Sequence, residues 1–237
     1  MRRFARFGAL LLLTGSALAF NPAKDVPPIA LLYLPILGAQ VREVMPGFAQ
    51  PEYFGALIEH ESGCPSLPAM CWSPTARLKT AREEGAGFGQ LTIAYSASGA
   101  VRFDALAETR ALDPRGLNEL RWDTIYQRPD LQLRAIVVKT RQNWNRLAPL
   151  TAQAPDAGLL LRLVDVAYNA GVGRATNDLR ACALQRGCDP GRWAGNVQNI
   201  CTASRTPIYG QRSACDIYHA HVADVVDTRM GKYRGLV

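Results

Sequence analysis

The chain has 237 residues, which is enough for one large domain or two small ones. Its formal net charge is +7, but three of the 27 basic residues lie among the first six, so 24 basic face 20 acidic side chains in the remainder, a balance of +4. This weak, scattered charge argues against a nucleic-acid partner, although it favours approach to an anionic surface.

The first 19 residues have the pattern of a secretory signal peptide. A basic start at residues 2–6 is followed by a short apolar run at 8–13 and a small-x-small cleavage site at 17–19. The run is shorter than the roughly 20 apolar residues that cross a bilayer, and no later stretch is long enough. We therefore expect a periplasmic or secreted protein with no membrane span after cleavage. An uncleaved anchor is the alternative.

Residues 20–237 contain no linker and no internal repeat, so we expect a single, monomeric domain. Apolar residues at helical spacing predict a helix over residues 29–45 and a second over 51–61, ended by Ser62-Gly63. Residues 64–92 lack this period and are rich in cysteine, proline and glycine. They are typical of a small irregular glycine-rich lobe or hairpin.

Helical periodicity returns after residue 126. It predicts helices over residues 131–147, 157–170, 174–185 and 216–226, with Gly171 as the cap of the second of these. A disulfide-rich loop at 182–215 precedes the last helix. The expected fold class is mainly α, with one glycine-rich insertion between helices.

Six cysteines in an exported chain indicate disulfides, because such a chain meets an oxidising compartment. A zinc site is the competing interpretation, but the sequence has no Cys-x-x-Cys pair and its three histidines lack finger spacing, so we expect neither metal nor cofactor. Proximity in the sequence predicts three pairs: Cys64–Cys71, Cys182–Cys188 and Cys201–Cys215.

One carboxylate lies on the apolar face of the second predicted helix. Glu61 follows Leu57 by four residues and Phe54 by seven, so the three side chains share one face. Burial would raise the pKa of Glu61, as a general acid working near neutral pH requires. Glu59 falls about 200° around the helix and is expected to face solvent. The alternative for Glu61 is the commoner one, a solvated residue at a helix end.

Four segments, in this order, resemble those of the soluble lytic transglycosylases and goose-type lysozymes. The first two are residues 56–63, similar to the family's Glu-Ser helix end, and residues 87–91, similar to the Gly-Leu-Met-Gln segment of the glycan cleft. Residues 167–171 match the Ala-Tyr-Asn-Ala-Gly motif, and residues 218–225 are loosely similar to the closing Tyr-Val-x-x-Val helix. The resemblance spans residues 32–225 and implies a lysozyme-like helical domain.

The resemblance also implies a function. It is that of a peptidoglycan lytic transglycosylase, which cleaves the bond from N-acetylmuramic acid (MurNAc) to N-acetylglucosamine (GlcNAc), forms 1,6-anhydro-MurNAc, and has glycan strands as its partner. The implied site residues are Glu61 as catalytic acid and base, Ser73 and Gln90 as sugar-binding residues, Tyr168 as the residue that orients Glu61, and Asn169 as a support of the site. The tyrosine of the closing helix falls on either Tyr218 or His221.

The chain departs from the family pattern at three places: the insertion 75–84, Gly89 in place of a bulkier hydrophobic residue, and the loop 182–215. Residues 168–171 also suit an ordinary helix end, and residues 87–89 a tight turn.

The nearest alternative function is a lysozyme-type hydrolase. Glu83 stands four residues before Gly87, as an acidic residue does before the Gly-Phe-Gly of goose-type lysozymes. Glu83 would then position water while Glu61 acts as the acid. Otherwise, Glu83 belongs to a solvated charged loop. A non-catalytic wall-binding module and a structural protein are the remaining alternatives, although such a module would be expected to lack Glu61 or Tyr168, and both are present.

Overall fold

The structure is a computed structural model that describes Asn21 and residues 24–64, 66–67 and 69–237. The predicted signal peptide lies outside these residues. The helices of the described part are α1 Ala30–Val44, α2 Glu52–Glu61, α3 Ala105–Leu112, α4 Pro129–Thr151, α5 Leu159–Ala170, α6 Val172–Leu184 and α7 Ala214–Val222. Shorter helical turns occur at Ile125–Gln127, Val197–Asn199, Ala223–Arg229 and Met230–Tyr233. The predicted mainly α class is confirmed.

The central helix is α5, which packs against α4, α6 and α7. Its sequence is mostly apolar, and Leu163 and Val164 are buried in the core. α1 packs against α4, and α2 is covered by the C-terminal turns. This arrangement holds the C-terminal ends of α2 and α5 on the same side of the molecule as α7, where all three line one cleft.

Both ends of α2 are determined by its sequence. Pro51 precedes the first turn, where the missing backbone N–H breaks no helical hydrogen bond. Gly63 has φ +77°, a left-handed conformation that a side chain disfavours, and it turns the chain away just after Glu61. Trp72 N–H donates to the Ser62 hydroxyl at 2.9 Å, which fixes the following loop against the helix end.

The glycine-rich lobe is more regular than predicted. It contains a four-stranded antiparallel sheet in the order β1-β2-β3-β4, formed by β1 Arg77–Lys79, β2 Glu83–Ala86, β3 Leu91–Tyr95 and β4 Val101–Asp104. The strands are short, and β1 and β4 are mostly exposed, so the sheet lacks the long alternation of apolar and polar residues by which a half-buried strand is predicted. Asp104 then caps α3 by accepting the Ala107 N–H, and α3 was not predicted either.

Three disulfides, Cys64–Cys71, Cys182–Cys188 and Cys201–Cys215, join the pairs that proximity predicts. The last one closes a loop that contains a small hairpin of β5 Pro207–Tyr209 and β6 Arg212–Ser213. Among the described residues, no helix is both long and apolar enough to cross a membrane.

Glu59 does not face solvent, and the prediction for this residue is wrong. Its side chain is fully buried and accepts hydrogen bonds from Arg229 Nη1 at 2.6 Å, from Lys232 Nζ at 2.7 Å and from the Tyr233 hydroxyl. The reason is tertiary, because the C-terminal turns fold over the face of α2 that would otherwise be in water. We call Glu59, Arg229, Lys232 and Tyr233 the Glu59 cluster.

Candidate active site

A long cleft of about 1180 Å³ lies between the sheet and the helices. The ends of α2 and α5, one face of α4, the start of α6, and α7 form its helical wall, and β2 and β3 form the opposite wall. Of the residues predicted to act on substrate, five line this cleft: Glu61, Glu83, Gln90, Tyr168 and Asn169. The structure therefore brings together most of the residues that the sequence singled out.

Glu61 is joined to a buried chain of polar side chains. Its Oε1 lies 3.1 Å from Nε2 of His221 on α7. The other ring nitrogen of His221, Nδ1, lies 2.7 Å from Oδ2 of Asp165 on α5. The Tyr53 hydroxyl of α2 donates to the second oxygen of Asp165 at 3.0 Å. Three helices thus contribute to one hydrogen-bonded series that ends at Glu61.

Solvent exposure falls along this series. The Glu61 side chain is 14% exposed and lines the cleft, whereas His221 is 2% exposed and Asp165 is fully buried. A buried carboxylate next to a buried imidazole favours the charged forms of both. Asp165 therefore orients His221 through one ring nitrogen, and the other nitrogen is directed at Glu61.

The charge state of Glu61 differs from the prediction. Burial favours the neutral carboxyl, but the hydrogen bond from His221 and the positive charges of His221, His60 and Lys139 outweigh it and lower the pKa of Glu61. Burial alone would lower the pKa of His221, but Asp165 and Glu61 raise it to about 10. Without substrate, the pair is therefore a carboxylate and an imidazolium. Burial of Glu61 is visible in the helical spacing, but its cationic partner is not, because His221 lies 160 positions later in the chain.

Tyr168 bonds to the glycine-rich loop and not to Glu61. Its hydroxyl donates to the Gly89 carbonyl at 2.9 Å. Lys139 Nζ donates to the Tyr168 carbonyl at 3.2 Å and lies 4.1 Å from the centre of the tyrosine ring. Burial raises the pKa of Tyr168, so its phenol is neutral, and burial lowers the pKa of Lys139. Tyr168 thus holds the loop before Gln90 against α5.

Gln90 has an unusual backbone conformation, with φ +44°. Its side-chain Nε2 donates to the Gly87 carbonyl at 3.0 Å, while its Oε1 is buried without a protein partner. Gly89 has no room for a side chain, because a Cβ atom would lie 2.5 Å from both the Tyr168 hydroxyl and Ile136 Cγ1. This close approach explains why residue 89 is a glycine.

Gly89→Ala is expected to lower the free energy of unfolding by about 1–3 kcal/mol, because the added methyl group overpacks the contact with Tyr168 and Ile136. Gly173→Ala on α6 is the control, since a Cβ there meets nothing within 4 Å, and it should be neutral or slightly stabilising. The measurement is urea unfolding of both variants. Equal stability of the two would contradict the packing argument.

Three other predicted residues have clear placements. Ser73 does not line the cleft, and its hydroxyl is 2.9 Å from that of Thr75. Asn169 is exposed at the end of α5 and lines the cleft. Tyr218 donates to Asp178 at 2.6 Å, so of the two candidates for the family's tyrosine position, it is His221 that contacts Glu61.

Glu83 lies in β2, paired with Ala94 of β3, and not in a charged loop. That alternative is therefore wrong, because the sheet extends further than the sequence pattern indicated. The Glu83 carboxylate accepts a hydrogen bond from the Tyr209 hydroxyl of β5. Its neighbour Glu84 forms ion pairs with Arg77 and Lys79 instead.

Asp165 was not identified from the sequence, although it left a signal. It is the one acidic residue in the mostly apolar sequence of α5, and a carboxylate is rarely buried in a helix of this kind unless it has a polar partner.

Among the described residues, no group of three or more His, Cys, Asp or Glu side chains could hold a metal ion. Comparison of the chain with family models, with curated proteins and with solved structures gave no match.

Proposed function

We propose that the chain is a peptidoglycan lytic transglycosylase with a lysozyme-like fold, and that Glu61 is its catalytic acid and base. The observation that carries the proposal is the position of Glu61, which lines a long cleft and is backed by the His221–Asp165 pair. The cleft volume of about 1180 Å³ exceeds the roughly 300–1,000 Å³ of most small-molecule sites, which suits an extended polymer. A carboxyl group at such a place is suited to proton transfer.

In the proposed reaction, the Glu61 carboxyl protonates the oxygen between MurNAc and GlcNAc. The bond from that oxygen to C1 of MurNAc breaks, and C1 becomes an oxocarbenium-like centre. The Glu61 carboxylate then accepts the proton of the MurNAc 6-hydroxyl, whose oxygen bonds to C1 and closes the 1,6-anhydro ring. One proton is given and one is recovered, so Glu61 returns to its starting state.

A single carboxylate is sufficient for this reaction because the nucleophile belongs to the substrate. An oriented intramolecular attack can contribute roughly 7–11 kcal/mol in favourable cases, and no second carboxylate has to activate water. The hydrogen bond from Tyr209 to Glu83 is in keeping with this, since it gives that cleft carboxylate a protein partner.

The cleft and the disulfides support the proposed setting. Lys139, Arg146 and Arg174 line the side of the cleft formed by α4 and α6, which favours an anionic wall polymer. Three disulfides are typical of an oxidising compartment, so we propose that the protein acts in the periplasm or after secretion.

Hydrolysis is the second candidate function, and one observation favours it: Glu83 lines the same cleft as Glu61. An inverting hydrolase would hold a water molecule between two carboxyl groups roughly 6.5–9.5 Å apart. Its products would be reducing sugars, whereas anhydro products are lighter by one water molecule. Product mass therefore separates the two functions.

Glu83→Gln is expected to release anhydro-muropeptides from purified sacculi at a rate similar to that of the wild type, because a transglycosylase needs no second carboxylate. Mass spectrometry of the soluble products gives both identity and rate. Glu84→Gln is a matched control, since Glu84 is the next residue of β2 and does not line the cleft. Hydrolytic products from the wild type that are lost only in Glu83→Gln would instead establish the lysozyme reaction.

A further inference from the structure

Glu61 and its partners differ in how much contact with water they lose when a ligand fills the cleft. Glu61 keeps 14% of its side-chain surface, on the cleft side, and water there stabilises its negative charge. His221 and Asp165 have almost no surface left to lose. A ligand that excludes water therefore destabilises the carboxylate of Glu61 and leaves the solvation of its partner nearly unchanged.

We propose that His221 stores the proton that Glu61 delivers to substrate, and that Asp165 and Tyr53 position His221 for this exchange. The inference rests on the proposed function and adds residues that act through Glu61 without touching the sugar. Its basis is geometric. Both nitrogens of the buried His221 ring are engaged, Nε2 by Glu61 at 3.1 Å and Nδ1 by Asp165 at 2.7 Å. Asp165 is held in turn by the Tyr53 hydroxyl at 3.0 Å.

The proton balance of the exchange is simple. Before substrate binds, His221 carries a proton on each ring nitrogen, and Glu61 is a carboxylate. When sugar displaces water, the Nε2 proton moves to Glu61 Oε1, which leaves a neutral imidazole that still donates from Nδ1 to Asp165. The terminal torsion of a glutamate is broad, so the carboxyl group can turn this proton toward the glycosidic oxygen. The proton taken later from the 6-hydroxyl returns to Nε2 as product leaves.

The direction of transfer follows from dielectric effects. An ion pair at the rim of a water-filled cleft is stabilised by solvent, whereas a neutral pair is favoured once water is excluded. The sugar is uncharged at the scissile bond, so it offers no replacement for the lost solvation of the carboxylate. Occupation of the cleft by the glycan therefore generates the acid form of Glu61 only where substrate is present.

Other charged groups surround the pair. The ring centres of His60 of α2 and His221 lie 4.3 Å apart. The His60 Nδ1 is 2.5 Å from Asp224 of the turn Ala223–Arg229, and this carboxylate compensates any charge on the His60 ring. Lys139 of α4 and Tyr168 of α5 face Glu61, and the lysine favours its carboxylate form. Asp165 remains the group that keeps a proton on the Nδ1 atom of His221, both before and after the exchange with Glu61.

The first test is the dependence of the rate on pH. The pair as a whole loses its shared proton only well above neutral pH, since Asp165 and Glu61 raise the pKa of His221 to about 10. The wild-type rate should therefore persist into alkaline solution. His221→Gln keeps a hydrogen-bond donor for Glu61 but cannot store a proton, so its alkaline limb should move to lower pH by roughly two units or more.

In numbers, His221→Gln should be on the order of 100-fold slower than the wild type at pH 8 and much closer to it near pH 5, in assays of soluble products from sacculi. His219→Gln is the matched control, because it changes a histidine of the same helix that bonds to the Ile200 carbonyl and not to a carboxylate. A similar loss at every pH would indicate a structural role, and a wild-type profile would indicate none. Either result overturns the inference.

The second test does not depend on activity. The chain has three histidines, so side-chain ¹⁵N NMR of the full protein can follow each one, with the His221 signal identified by its absence from His221→Gln. Glu61→Gln and Asp165→Asn should each lower the pKa of His221, because each replaces a carboxylate beside one of its ring nitrogens with a neutral amide. A titration of His221 that does not respond to Glu61→Gln would overturn the inference.

The two proposals fail in distinguishable ways. If Glu61→Gln still cleaves sacculi, Glu61 is not the catalytic acid and both proposals are wrong. If Glu61→Gln is inactive while His221→Gln keeps the wild-type pH profile, the proposed function stands and only the storage of the proton by His221 is wrong.

Discussion

Glu61→Gln is expected to lower the release of soluble muropeptides from purified sacculi by about 100- to 10,000-fold. The amide can neither donate the proton that the leaving oxygen needs nor accept the proton of the 6-hydroxyl. It has the same size as the carboxyl, and its oxygen can still accept a hydrogen bond from His221, so the fold should be preserved.

The control for this loss is Glu43→Gln, a change of the same kind on α1, where the side chain is 63% exposed and lies outside the cleft. Circular dichroism should show the same folded structure for both variants. If Glu61→Gln retained more than half of the wild-type rate, the assignment of Glu61 as the acid would be wrong.

Glu59→Gln is expected to lower the free energy of unfolding by about 3–5 kcal/mol, because it removes the negative charge from a buried ion-paired group. Arg229 is 7% exposed and Lys232 is 3% exposed, so water cannot replace the carboxylate as their partner. Chemical denaturation in urea, with disulfides intact, measures the change.

A surface ion pair provides the comparison for the Glu59 cluster. Glu43→Gln breaks the contact with Arg134, in which the glutamate is well solvated, and pairs of this kind contribute up to about 1 kcal/mol. If both variants lost equally little stability, the Glu59 cluster would contribute no more than a surface pair and the argument from burial would be wrong.

The helices could be predicted because their information is local. The predicted ranges 29–45, 51–61, 157–170 and 174–185 match α1, α2, α5 and α6 within a few residues. Each segment contains its own apolar spacing, and a glycine follows each within two residues. The sheet could not be predicted in this way. Its strands are only three to five residues long, and their pairing depends on neighbours that are themselves irregular in sequence.

The same distinction holds within the candidate site. Glu61, Gln90 and Tyr168 could be identified because each belongs to a short motif. His221 contacts Glu61 across 160 positions of the chain, and Asp165 contacts His221 across 56, so neither contact is visible in any local pattern. The predicted pKa direction of Glu61 was wrong for that reason, and the exposure predicted for Glu59 was wrong because the covering residues lie far away in sequence.

The Glu59 cluster has a consequence for the order of events during folding. Glu59 receives its donors from residues that are synthesised at least 170 positions later. Until those residues have been synthesised, α2 therefore carries an acidic group that cannot be buried without a large cost. The helix that presents Glu61 can reach its final environment only after Tyr233 has emerged.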